Sequence, residues 1–261
     1  MSKIRHNTPE IETAPRHRTL LLLLCLMGLT FSSAASADIP PFSARYTLSR
    51  AGIPLGENIR TLTNTDGHFV YQSVTHATGL LARFLKEELV ERSQGMYMSA
   101  EPDTGIRPLE YMTRRNRSKK DKWLRQIFDW EKNATTSFNS ARTWHMPLRA
   151  NAQDKLTYQL AIMQDLQNGR KTLEYPIIES EKTNTYRFAI LGEEQIKTDI
   201  GTLRTLKIRR TGDKRNTTVW CAIDLHYLPV ILEQHDDEDG QLTMRINSVQ
   251  GLQTLKGAST P

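Results

Sequence analysis

ENIRTLTNTDGHFVYQSVT, Glu57 to Thr75, sets two alternating segments on either side of Asn64-Thr65-Asp66-Gly67. Successive side chains of a strand point to opposite faces, so a two-residue period marks a half-buried strand. Asp-Gly suits the positive φ angles of a tight hairpin turn. The stretch therefore reads as a β-hairpin, Glu57 to Thr63 against His68 to Thr75. The same rhythm runs through the chain. Phe42, Ala44, Tyr46 and Leu48 share one face, with Ser43, Arg45 and Thr47 on the other, and a turn at Gly52-Ile53-Pro54-Leu55-Gly56 follows.

Further strands are expected at Glu88 to Met98, Leu109 to Arg114, Trp123 to Trp130 and Thr135 to Asn139. After a break they return at Lys171 to Ile178, Thr185 to Leu191, Leu203 to Arg210, Thr217 to Ile223, Pro229 to Gln234 and Leu242 to Val249. Asp239-Gly240 closes the last hairpin. Gly79 to Leu85 fits a short helix. The break itself is helical: Leu156, Leu160, Met163 and Leu166 recur at helical spacing from Asp154 to Gln167. Asn151 is placed to cap this helix, Asp154 lies near the positive end of its dipole, and Asn168-Gly169 stops it. The fold class that follows is mainly β: a single curled antiparallel sheet of more than ten strands, an open barrel or β-spiral. One main α-helix near 154–167 covers or plugs an opening.

Leu20 to Phe31 is apolar apart from Gly28 and Thr30. Arg16, His17 and Arg18 precede it, and the small-residue run ending in Ala35-Ser36-Ala37 follows. That order is a secretory signal peptide, with cleavage expected after Ala37. The apolar run is shorter than the ~20 residues of a spanning helix, although a retained N-terminal anchor is the alternative. The expected organisation is a signal peptide at 1–37, a single β-rich domain at 38–252 and a flexible C-terminal tail at 253–261, with the protein in the periplasm. Only Cys221 remains after cleavage, so the domain has no internal disulfide and depends on its apolar core.

Cleavage lowers the formal charge from +6 to +4. Seven bases between Arg114 and Arg125 face the single acid Asp121, so the remainder of the mature chain is slightly acidic. The basicity is local. Arg114, Arg115, Arg117, Lys119, Lys120, Lys122, Trp123 and Arg125 form a candidate patch for an anionic partner: an anionic lipid, lipopolysaccharide or an acidic envelope protein. Nucleic acid is excluded by the compartment, and contact with the membrane is peripheral at most. The plainer reading of the run is a solvated hairpin tip. Alternation puts Leu124, Phe128 and Trp130 on one face and Trp123, Arg125, Ile127 and Asp129 on the other.

Several features occur in an order that resembles a known family. They are Gly52 with Gly56, Ser93-Gln94-Gly95, Gly105 to Pro108, Phe128-Asp129-Trp130 and Gln153-Asp154, then Gly192-Glu193-Glu194 before Gly201, and Trp220 followed by Tyr227-Leu228-Pro229-Val230. The chain is similar, over roughly Pro41 to Leu252, to bacterial domain-of-unknown-function family 3108. The resemblance implies an exported β-rich protein without an assigned activity. It supplies no catalytic residues.

The chain offers little for catalysis. Cys221 with His226 could be drawn as a thiol nucleophile and base, but Val219, Cys221 and Ile223 share a strand face and read as buried. His235 to Gly240, HDDEDG, lacks the register of a calcium loop and reads as a hairpin turn. His68, His76, His145, His226 and His235 are scattered and form no zinc motif. Ser93-Gln94-Gly95 is not a nucleophile elbow. No cofactor, metal ligand or catalytic residue is therefore assigned. The expected function is non-enzymatic: an exported envelope protein that binds a partner or an envelope component. The alternatives are a carrier holding a lipid or lipoprotein acyl chain inside the curled sheet, and a cell-envelope hydrolase.

Overall fold

The computed structural model describes residues 38–79, 82, 87–98, 105–117, 120–212, 216–236 and 240–252. The signal peptide expected at 1–37, most of the short helix expected at Gly79 to Leu85, Lys119 and the flexible tail expected at 253–261 lie outside the described residues. So does the middle of HDDEDG.

Eight strands precede the helix: β1 (Phe42–Arg50), β2 (Ile53–Thr65), β3 (His68–Ala77), β4 (Glu87–Tyr97), β5 (Ile106–Arg117), β6 (Lys120–Asp129), β7 (Ala134–Phe138) and β8 (Thr143–Pro147). Helix α1 (Tyr158–Gln167) follows. Six strands complete the chain: β9 (Leu173–Glu179), β10 (Lys182–Thr198), β11 (Gly201–Thr211), β12 (Thr218–Ala222), β13 (Leu228–Asp236) and β14 (Gly240–Gln250). All fourteen lie in one antiparallel sheet, ordered β8-β7-β6-β5-β4-β3-β2-β1-β14-β13-β12-β11-β10-β9. Each half is a meander of sequential hairpins, and β1 pairs with β14 where the halves meet.

The β2–β3 hairpin turns on two residues, Asp66 at φ 49° and Gly67 at φ 74°, and pairs Thr65 with His68. Two successive positive φ values match the right-handed twist of the flanking strands, which is why Asp-Gly marks this site. The preceding turn differs from the expectation. It is made by Ala51-Gly52, and Ile53 to Gly56 already belong to β2, where a register shift between Leu48 and Ser49 takes up the extra residue. Gly56 serves packing, since a Cβ there would strike the carbonyl oxygen of His76 at 2.5 Å. The alternation also missed β8, a short edge strand with exposed Thr143, His145 and Pro147.

The sheet curls around α1 without closing, leaving β8 and β9 as its edges. Unpaired edges invite association, and both are partly covered. Gln153 forms a one-residue parallel bridge on β9, its N–H donating to Pro176 O at 2.8 Å while Ile178 N–H donates to Gln153 O at 2.9 Å. The Trp144 indole N–H of β8 donates to Ser180 O at 2.9 Å, and Arg142 pairs with Glu181.

Helix α1 is buried from Gln159 to Leu166. It fills the volume enclosed by the sheet, with Leu160, Ala161, Met163 and Leu166 packed against inward side chains such as Tyr46, Tyr71, Tyr175 and Ile208. Its polar residues are anchored. Gln159 accepts a hydrogen bond from Arg60 at 2.5 Å, and Asp165 accepts one from Tyr175 at 2.7 Å. The helix starts at Tyr158, later than the spacing predicts, and Asn151 does not cap it; Asn151 sits in a left-handed turn at φ 56°. Asp154 takes over that role one turn earlier. Its Oδ1 accepts the Leu156 and Thr157 N–H groups at 2.7 and 2.8 Å, and the Thr157 hydroxyl accepts the Asp154 N–H at 3.1 Å. This reciprocal arrangement resembles a capping box and fixes the entry to the helix.

Candidate functional site

Alternation divides the basic hairpin between two faces. In β5 and β6, Tyr111 pairs with Gln126, Thr113 with Leu124 and Arg115 with Lys122. Tyr111 and Gln126 are buried against the interior, so Arg115 and Lys122, farther along the same row, stand on the inner face at the open end of the sheet. Leu124 and Phe128 belong to this inner row as expected, but Gln126, fully buried, lies between them. Arg114, Trp123 and Arg125 belong to the opposite face. Arg117 and Lys120 pair at the hairpin end, and nothing further is described of their side chains.

Acids inside and outside the run meet several of these bases. Arg114 grips Asp121 with Nε and Nη2, the latter 2.7 Å from Oδ2, and this hydrogen bonding holds the Asp121 carboxyl below its ordinary range. Arg125 Nε lies 2.6 Å from Glu110 Oε1, and Arg115 Nε lies 3.5 Å from Glu87 Oε1. The run is therefore a patterned surface in which Lys122 has no acid partner among the described residues.

Two cavities open on the inner face at this end. One, of about 480 Å³, is lined by Glu91, Arg115, Lys122 and Lys155 together with the β9–β10 turn. The other, of about 490 Å³, lies against β9 to β13 and is lined by Lys155, Lys182, Asn184, Arg210, Thr217 and Gln234 with the rings of Tyr158, Tyr186 and Phe188. Lys155 and Glu179 line both. Lys155 reaches this place because the turn capped by Asp154 brings the chain to the mouth just before α1 begins.

The second cavity was missed by reading the sequence because its polar residues resemble the wet face of alternating strands. A signal exists in retrospect: Lys182 and Asn184 continue the parity of Tyr186 and Phe188, which are buried. Asn184 donates to Glu179 Oε2 at 2.6 Å and the Tyr186 hydroxyl donates to Oε1. Burial and this contact push the Tyr186 hydroxyl well above the ordinary tyrosine range. The Arg210 guanidinium is stacked 3.3 Å over the Tyr186 ring.

The residues weighed above for catalysis can also be placed. Cys221 is fully buried, and burial pushes its thiol up to about 12, far from a nucleophile's range. His226 bonds to Gln167 Oε1 at 3.1 Å. Among the described residues no group of three His, Cys, Asp or Glu side chains converges to hold a metal ion, and no helix is long and apolar enough to cross a membrane.

Residues 43–247 match the family model described as Protein of unknown function (DUF3108). The chain belongs to this family. The DUF3108 match spans both meanders and α1. No curated protein matches the chain in sequence. Among solved structures, a beta-barrel-like protein of the domain of unknown function DUF1849 from Brucella abortus superposes with a TM-score of 0.54 at 8% identity, covering 84% of this chain and 100% of that one. At that identity the likeness is one of fold. A protein with a YmcC-like fold from Bacteroides fragilis is 9% identical, covers 80% of this chain and 95% of its own, and has a TM-score of 0.30. Neither likeness carries an activity to the DUF3108 chain.

Proposed function

We propose that this DUF3108 protein is an exported, non-catalytic binding protein of the bacterial envelope, and that its polar mouth receives an anionic envelope component. The observation that carries the reading is the convergence of Arg115, Lys122, Lys155, Lys182 and Arg210 on two adjoining cavities whose acids, among the described residues, are Glu91 and Glu179. Opposite charge concentrated in a concave site raises the local concentration of an anion. The volume in which an acyl chain would lie is occupied by α1, which favours recognition of a polar group at the mouth over enclosure of a lipid tail. The signal-peptide pattern before Asp38 supplies the compartment.

Native mass spectrometry of protein purified gently from a periplasm tests the reading. The expected result is an anionic envelope component retained by the wild type and lost when Lys122 and Lys155 are replaced by serine. Clean protein, together with failure of added envelope extract to bind, would overturn it.

A further inference from the structure

Three cations line the cavity against β9 to β13: Lys155 from the turn before α1, Lys182 at the start of β10, and Arg210 near the end of β11. Among the described residues its one carboxylate is Glu179, which has both oxygens engaged by Asn184 and Tyr186 and forms no ion pair with Lys155 or Lys182. Lys155 and Lys182 thus face the cavity without an ion pair to Glu179, and two such ammonium groups suit a phosphate dianion better than a single carboxylate. Arg210 is held by stacking on Tyr186, so its fork is ordered before any ligand arrives, and planar donors of this kind suit phosphate oxygens.

The remainder of the lining asks for more than phosphate. The Tyr158 and Phe188 rings are nearly parallel, 6.3 Å apart at 12°. Aromatic faces carry partial negative charge and accept the slightly positive C–H face of a sugar ring. Beside them Thr217, only 4% exposed, presents a buried hydroxyl without a hydrogen-bond partner among the described residues, although such groups are normally satisfied. Gln234 adds an amide that can both donate and accept. A volume of about 490 Å³ lies within the range of small-molecule sites.

We infer that this cavity is a site for a phosphorylated sugar, with the phosphate between Lys155, Lys182 and Arg210 and the sugar ring toward Tyr158, Phe188 and Thr217. The inference rests on the reading of the mouth given above and names its ligand class. A sugar phosphate could be a free metabolite or the headgroup of an envelope glycolipid, and both present the same chemistry to the cavity.

Calorimetric titration of the purified protein with a hexose 1-phosphate, inorganic phosphate, free hexose and phosphatidylglycerol vesicles separates the outcomes. The expected result is saturable binding of the hexose phosphate, weaker binding of inorganic phosphate and none of free hexose. Lys182→Ser should weaken the hexose phosphate about tenfold or more, the loss of a charged hydrogen bond. Lys132→Ser should leave it unchanged, because that exposed lysine lines neither cavity. Lys182 is exposed, so its variant should fold, and an unaltered melting temperature verifies this. Binding of a phosphorylated glycolipid in vesicles, sensitive to Lys182→Ser, would support the site and assign the headgroup source. Equal affinity for inorganic phosphate and hexose phosphate would overturn the sugar assignment. Binding of the phosphatidylglycerol vesicles alone, lost with Arg115→Ser and Lys122→Ser, would overturn the inference while leaving the envelope-binding reading standing.

Discussion

Ser93 of β4 donates its hydroxyl hydrogen to Asp154 Oδ1 at 2.9 Å, tying the first meander to the turn that launches α1. Both residues are fully buried, and Asp154 Oδ2 has no hydrogen-bond partner among the described residues. Burial pushes the Asp154 carboxyl up to about 6, with the Thr157, Leu156 and Ser93 hydrogen bonds opposing the shift. An unfolded aspartate loses its proton near pH ~4. Between those values the native state holds more protons than the unfolded state, so this group's contribution to stability is full below pH ~4 and is lost as pH rises through about 6. Asp154→Asn should abolish the effect. Relative to that variant, the wild type should lose on the order of 2 kcal/mol of unfolding free energy between pH ~4 and ~7, measured by denaturant titration. Identical pH profiles for the two proteins would show that the Asp154 carboxyl titrates alike in the folded and unfolded protein.

Cys221 should resist a water-soluble thiol reagent at pH ~8 in the folded protein and react fully in denaturant, because its thiol is both buried and protonated. Cys221→Ser should cost about 1–3 kcal/mol by placing a hydroxyl among apolar neighbours. Rapid labelling under native conditions would contradict the buried placement.

Gly95→Ala tests the contact between β4 and its neighbours. A Cβ there would press on the Arg107 carbonyl and, at 2.5 Å, on the buried Phe69 ring. Neither can move freely, so a loss of about 1–3 kcal/mol is expected in equilibrium unfolding. A variant as stable as the wild type would mean that the two strands separate readily at this point.

Leu160→Ala removes a fully buried side chain from the face of α1 and should destabilise by about 2–5 kcal/mol. Asp121→Asn, by contrast, breaks the exposed Arg114 pair on the hairpin and should leave the melting temperature unchanged, because exposed ion pairs contribute little. If the two substitutions had equal effects, α1 could not be the centre of the core.

The parts of this fold that were legible in the sequence are those governed by local rules. Alternation from Phe42 to Leu48, Asp66-Gly67 between two apolar rows, and helical spacing at Leu156, Leu160, Met163 and Leu166 each report a backbone preference with its buried face. Gln126, Ser93, Ser137 and Asp154 escaped because polar side chains normally mark the wet face, whereas here hydrogen bonds across the sheet satisfy groups at Ser93 with Asp154 and at Gln126 with Ser137. The charge balance of the basic run escaped for a related reason. Glu87 lies beside Arg115 only after β4 pairs with β5, and no window along the chain contains both. The mouth combines Lys155, Lys182 and Arg210 from three elements, so its chemistry exists only in the folded protein.

The junction of β1 with β14 has a consequence for the order of assembly. Asn247 donates to Thr47 at 3.1 Å across 200 positions of chain. A polypeptide emerging N-terminus first delivers β1 early and its second neighbour last. The hairpins of each meander can form as they appear, since their loops are short, but one edge of β1 waits for the final strand. Completion therefore occurs in the middle of the sheet rather than at its margins. During that interval the exposed rim from Ser43 to Arg50 is the place where a nascent molecule is open to pairing with a stranger.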